Sequence, residues 1–146
     1  RMSSFPLSPL VIGASGGIGA AIAVALDRKR AVTRLSRRGD GLDITDEGSV
    51  ARAAARFKDQ RFDLIVVATG VLESAGARPE KSFAEIDAGA MARVFAANAI
   101  GPALIAKHFA PLLPAKERGV IAFLSARVGS IGDNRLGGWM SYRASK

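Results

Sequence analysis

The sequence predicts an α/β fold, a doubly wound parallel sheet with helices on both faces. Three observations predict it. Short apolar runs alternate with helix-forming runs along the chain, and that alternation reads as βαβ units. The strand-like runs are apolar throughout, as in "FDLIVVATG", which is the pattern of strands buried on both faces. A glycine-rich turn, "VIGASGGIGAAI", joins the first apolar run to the first helical one.

The elements follow in order. "PLVIGA" gives a first buried strand over Leu10–Ala14. "GIGAAIAVALDRK" is rich in alanine and prone to helix. "AVTRLS" reads as the second strand, and Leu42–Ile44 is a candidate for a short third. "DEGSVARAAARFKD" opens with acids, which suit the positive end of a helix, and sets Val50, Ala54 and Phe57 at helical spacing. "FDLIVVATG" is the fourth strand, ended by Gly70. "FAEIDAGAMARVFAANAIGPALIAKHFAPLL" is a long helical region in which Pro102 is expected to introduce a kink. "GVIAFLSA" is the fifth strand, and "WMSYRASK" begins another helix. The expected strand order is 3-2-1-4-5. The "GVIAFLSA" strand is expected to leave an apolar, unpaired edge, so self-association into a homo-oligomer is expected.

Composition narrows the function. The chain has 146 residues, 49% of them hydrophobic, enough for one domain, 1–146, with its own core. It has no cysteine and one histidine, His108, which excludes disulfides, a thiolate nucleophile and a Cys- or His-based metal cluster. His108 itself reads as a structural or exposed residue. No apolar run reaches the roughly 18–20 residues that span a bilayer, and the opening "RMSSFPLSPLVIGAS" lacks the apolar region and cleavage site of a leader. A cytoplasmic protein without a membrane partner is expected. The formal charge is +8 and the pI about 10.8, which raises nucleic-acid binding. The basic residues are dispersed, however, with "DRKR" and "RLSRR" the densest groups, and no aromatic residues interleave with them. A phosphate-bearing small ligand accounts for the charge as well, and no nucleic-acid partner is expected.

The glycine turn supplies the ligand chemistry. Gly13, Gly17 and Gly19 are spaced G-x3-G-x-G between a strand and a helix. Gly13 permits a tight turn, Gly17 lets the backbone approach a pyrophosphate, and Gly19 lets helix and strand pack closely. The helix N-terminus then holds the phosphates; Ser15 and Ile18 lie in the same loop. This is the Rossmann-type strand–turn–helix context that the motif requires. At the end of the second strand stands "RLSRRGD" rather than an acid. Ser36, Arg37 and Arg38 offer a hydroxyl and guanidinium groups that suit a 2′-phosphate, so NADP(H) is favoured over NAD(H). The alternative is a solvated basic turn.

These residues resemble the short-chain dehydrogenases/reductases. Gly13–Gly19 matches the family's glycine loop. "LDITD" is similar to its D-[VIL]-T segment, which implies Asp43 beside the adenine with Ile44 adjoining. "NAIG" matches its N-x-x-G at Asn98–Gly101, and "YRASK" its Y-x-x-x-K. The "SARVGSIGDNRLGGW" region is most similar to the sub-group of C-factor-like and sniffer-like carbonyl reductases. The resemblance implies hydride transfer between nicotinamide and a small carbonyl or alcohol substrate. Tyr142 would be the proton donor in reduction. A free phenol ionises near pH 10, and Lys146, one helical turn on, brings a charge that favours the phenolate. Asn98 would anchor a water relaying protons to Lys146. Ser125 is the candidate to hold the substrate oxygen, with Ser130 second, because Ala126 stands where the family usually has a second serine. Gly70 is retained in "VATG", Val67–Gly70, where the family usually has N-N-A-G. Trp139 is either a wall of the substrate pocket or a core anchor. Taken alone, Tyr142 and Lys146 would be an ordinary exposed helix pair; the upstream motifs reverse that. Family members continue past the Tyr/Lys helix, so the resemblance implies that the C-terminal part of the fold is missing. A nucleotide-binding signalling protein, or an inactive fragment with little turnover, is the alternative.

Overall fold

The computed structural model describes residues 8–73, 76 and 78–146. The stretch Arg1–Leu7, read above for a leader, lies outside them.

Four parallel strands form one sheet: β1 (Ser8–Ile12), β2 (Thr33–Leu35), β3 (Phe62–Val67) and β4 (Val120–Phe123), in the spatial order β2-β1-β3-β4. Leu10 pairs with Thr33 on one side and Ile65 on the other, and Leu64 pairs with Val120. Leu10, Val11 and Ile12 are all fully buried, because β1 is central and covered on both faces. Leu10 and Ile12 face a large core with Val50, Phe62, Ile65, Ile105 and Phe109. Val11 faces a smaller one with Ala23 and Val66. Helices α1 (Gly17–Asp27), α3 (Glu47–Ala55) and α5 (Gly101–Phe109) supply these covering residues.

The Leu42–Ile44 strand is not formed. Gly41 turns the chain at φ 68°. The Leu42 N–H donates back to the Ser36 carbonyl at 3.4 Å, and the Asp43 N–H to the Ser49 hydroxyl at 3.0 Å. Donors committed locally cannot enter a ladder. Leu42 still enters the core, although its backbone joins no strand. The other four strands keep the expected order. A one-turn helix, α2 (Arg37–Asp40), lies between.

The long helical region has a physical break at the expected place. It runs as α4 (Ala88–Phe95), a π turn (Ala96–Ile100), then α5 and a 3₁₀ turn (Ala110–Leu112). Pro102 has no N–H to give the Asn98 carbonyl. The turn ahead of it widens, and Gly101 N–H reaches Ala96 O instead. Contrary to the expectation from apolar runs, Ala88–Leu112 is long and apolar enough to cross a bilayer. Here it is a core helix whose Val94, Ile105, Phe109 and Leu112 are buried.

The last helix, α6 (Met140–Ser145), is started by the αL residue Trp139. Among the described residues strand β4 pairs only with β3, and its Val120 and Phe123 are exposed.

Candidate functional site

The functional candidates meet at the C-terminal edge of the sheet, where ligands bind in doubly wound folds. Gly13 follows β1 at φ 89°, and a Cβ there would meet Ala68 O at 2.8 Å. A Cβ on Gly19 would lie 2.2 Å from Gly13 O. A Cβ on Gly17 would meet nothing within 4 Å. Gly13 and Gly19 are thus required by packing, whereas Gly17 faces open space. Helix α1 has Gly16 as its N-cap, with no capping side chain and no acid in the first turn. Its first N–H groups are therefore free for an anion.

A cleft of about 260 Å³ opens beside this loop, lined by Gly13, Ser15, Ser36, Arg37, Asp43, Ile44, Thr45, Thr69 and Gly70, among others. Ser36 is tied down: its hydroxyl accepts from Gly39 N–H at 2.9 Å, and its own N–H donates to Asp40. The Asp43 carboxyl accepts from the hydroxyl and the N–H of Thr45. Those bonds, with a smaller contribution from the Arg37 charge, hold it below the usual carboxylate range. Ile18 is exposed on α1, just outside the cleft. Open backbone at Gly17 and uncapped amides on α1, in a cleft that Arg37 also lines, fit the phosphates of a nicotinamide dinucleotide.

The second cluster lies on α6. Tyr142 and Lys146 share a face, with Lys146 Nζ 5.9 Å from the Tyr142 ring centroid. Lys146 Nζ donates to Leu124 O at 3.1 Å, and burial pushes the ammonium's pKa down. A Cβ on Gly70 would lie 2.9 Å from that nitrogen, so the glycine makes room for the lysine. Asn98 is buried in the π turn. Its Oδ1 accepts from Val71 N–H at 2.8 Å, and its Nδ2 donates to Val71 O at 2.8 Å and to the Ser145 hydroxyl at 3.0 Å. Ser145 in turn donates to Tyr142 O. The turn that lacks the family's usual asparagine is held from the other side, through Val71. Ala68 N–H also donates to Ile12 O at 2.8 Å.

The Ser125 hydroxyl donates to the Lys146 main-chain carbonyl at 2.8 Å. Ser125 is thus brought to Lys146, and Ser130 is exposed after a short 3₁₀ turn. His108 and Lys107 both meet Glu47, tying α5 to α3 away from the site.

Glu80 has no counterpart in the sequence reading. It is buried, and its carboxylate accepts from the Ser141 hydroxyl and N–H, while its carbonyl accepts from Trp139 N–H. This side chain caps α6 from a distant loop, at the helix end that favours an anion. Burial alone would raise its pKa; hydrogen bonds from the Ser141 hydroxyl, its own N–H and the Ser141 N–H outweigh that, and it lies below its ordinary 4.5.

The family model for short chain dehydrogenases matches residues 39–146. The chain belongs to the short-chain dehydrogenase family. It is 33% identical over 106 residues to the 1-hydroxy-2-glutathionyl-2-methyl-3-butene dehydrogenase of Rhodococcus sp. (strain AD45), covering 73% of this chain and 44% of that protein. It is 31% identical over 160 aligned positions to the cis-4-hydroxycyclohexanecarboxylate dehydrogenase of Sinomonas cyclohexanicum, covering 94% and 60%. The chain therefore spans about half the length of these relatives. Among solved structures, a short-chain dehydrogenase/reductase from Burkholderia multivorans with bound NADP superposes with a TM-score of 0.77 at 25% identity, over 96% of this chain and 67% of that one.

Proposed function

We propose that this chain forms the NADP(H)-binding part of an oxidoreductase acting on a small carbonyl or alcohol. The observation that carries the reading is the shared edge: the phosphate-loop cleft and the Tyr142/Lys146 helix meet at Gly70, against which Lys146 packs. When bound, the nicotinamide supplies or accepts the hydride. The amides at Gly17 and Ile18 would hold the pyrophosphate, Asp43 and Ile44 would lie by the adenine, and Ser36 and Arg37 would take the 2′-phosphate. Tyr142 gives its hydroxyl proton to the substrate oxygen in reduction and takes one in oxidation. Lys146 keeps a positive charge one turn away; burial makes it lose that charge at lower pH than an exposed lysine. Asn98 fixes the spacing between the cofactor turn and α6. Ser125, whose hydroxyl donates to the Lys146 carbonyl, is the candidate to hold the substrate oxygen, with Ser130 second. Both curated relatives are dehydrogenases by name, which supports turnover over binding alone.

The test is calorimetric titration of NADPH and NADH into the natural chain and Arg37→Ala. NADPH should bind the natural chain more tightly, and the substitution should erase most of that preference, a loss of about 1.5–3 kcal/mol for a charge-assisted contact. An unchanged preference would make Arg37 a surface residue and leave the 2′-phosphate without its partner.

A further inference from the structure

We infer that the cleft beside the start of α6, lined by Val128, Leu136, Trp139 and Arg143, receives the carboxylate of an apolar organic acid.

Arg143 directly follows Tyr142. Its Nε donates to Gly138 O at 2.8 Å, one terminal nitrogen to Val128 O at 3.0 Å and the other to Gly137 O at 3.0 Å. A guanidinium has five N–H groups, so the plane is fixed by three bonds and two donors remain. All three partners are neutral carbonyls. Among the described residues no carboxylate lies within salt-bridge distance of Arg143, although the side chain is half-buried. A half-buried cation whose bonded partners are all neutral can take an anion on the two N–H groups that remain.

The surroundings have the matching character. Two clefts, of about 340 and 420 Å³, share Val128, Leu136 and Arg143. Lys81, Arg127 and Arg135 also line them. Of the two carboxylates that line the clefts, Asp133 is paired with Arg127 and Glu80 is turned to Ser141, so the four cations outnumber the two acids. Leu136 stands 94% exposed beside these cations, so an apolar frame attached to the anion would cover it. A free phosphate has no such frame, and a forked guanidinium matches a carboxylate in two parallel bonds.

Gly137 and Gly138 take positive φ, which glycine adopts freely, and Trp139 (φ 55°), a bulky residue, takes it against its preference. Such strain persists only where the surroundings impose it and gathers at functional sites. Here it curls the Gly137 and Gly138 carbonyls onto Arg143.

Trp139 is the chain's single tryptophan and lines the cleft, so its emission reports occupancy. The probe is cyclohexanecarboxylate, which does not absorb where tryptophan does, with the neutral cyclohexanecarboxamide as control. The acid should produce a saturable change and the amide none. Arg135→Gln, on an exposed loop, should weaken the acid by about tenfold, the order of one charge-assisted contact. Arg143→Lys keeps the charge but loses the fork and should weaken it at least as much. The proposal is overturned if the natural chain shows no saturable change, if the amide acts as well as the acid, or if both variants bind the acid like the natural chain. NADPH affinity of the natural chain, measured separately by calorimetry, decides the oxidoreductase reading independently of the acid.

Discussion

Two alanines placed two residues apart in the phosphate loop should part stability from cofactor binding. At Gly19 the added methyl would sit 2.2 Å from Gly13 O and 2.8 Å from Gly13 C, both backbone atoms that no side-chain rotation can move. The loop or α1 has to shift, and overpacking of this kind costs about 1–3 kcal/mol, a fall of roughly 3–10 °C in Tm for a domain of this size. At Gly17 the methyl meets nothing within 4 Å, and φ there is not positive. Gly17→Ala should leave stability unchanged or raise it by up to about 1 kcal/mol, because alanine favours helix over glycine. Yet the same methyl would occupy the space through which a pyrophosphate oxygen reaches the α1 amides. Losing one charge-assisted bond of about 1.5–3 kcal/mol means NADPH affinity falls by roughly tenfold or more. Thermal unfolding by circular dichroism and NADPH titration by calorimetry, run on both variants, give the four numbers. Gly19→Ala should lose both properties and Gly17→Ala only binding. If Gly17→Ala binds NADPH as the natural chain does, the cofactor does not lie on that face of the loop and the assignment of the glycines fails.

Asn98→Ala should destabilise the chain by about 2–4 kcal/mol in urea unfolding, because the buried amide makes three hydrogen bonds, two with Val71 and one with Ser145; a loss below about 1 kcal/mol would mean that water replaces the amide. Glu80 lies below its ordinary pKa of 4.5, so its stabilising contribution is complete above about pH 4.5 and is lost as pH falls through the folded value. Glu80→Gln should flatten that acid limb of stability; an unchanged limb would assign the loss to other carboxylates, Asp43 first among them.

What the sequence displayed was local spacing. Gly13 and Gly19 are legible because a strand–turn–helix has one geometry, in which Gly19 packs on Gly13 O; that Gly13 itself packs on Ala68, after β3, is not local. Tyr142 and Lys146 are legible because one helical turn sets their separation. Leu42–Ile44 misled because side-chain pattern does not reveal where main-chain donors go; Ser36 O and the Ser49 hydroxyl had already taken them. Glu80 was invisible for a different reason. Its partner Ser141 lies 61 residues along the chain, and neither residue carries a pattern that marks the pair. The same holds for the Ser125 hydroxyl, whose direction depends on where α6 docks.

The helix break around Pro102 connects these local readings. A proline at that position deprives the Asn98 carbonyl of its α-helical donor, and the chain answers with a π turn that holds Asn98 at the bend. From there the amide spends its oxygen and one proton on Val71 and its other proton on Ser145, which bonds the carbonyl of Tyr142. One side chain therefore fixes the turn after β3, where the cleft lies, and the helix that carries Tyr142 and Lys146. This also explains how the turn at Val67–Gly70 holds its shape without an asparagine of its own. Its backbone is held by the Ala68 N–H bond to Ile12 O and the Leu124 N–H bond to Val67 O from the neighbouring strands, and by the Asn98 amide on the other side. Lys146 can then lie against Gly70, where any Cβ would displace it. The relative placement of cofactor cleft and Tyr142 is set by a proline and an amide on the covering helix, not by the sheet that carries the rest of the fold.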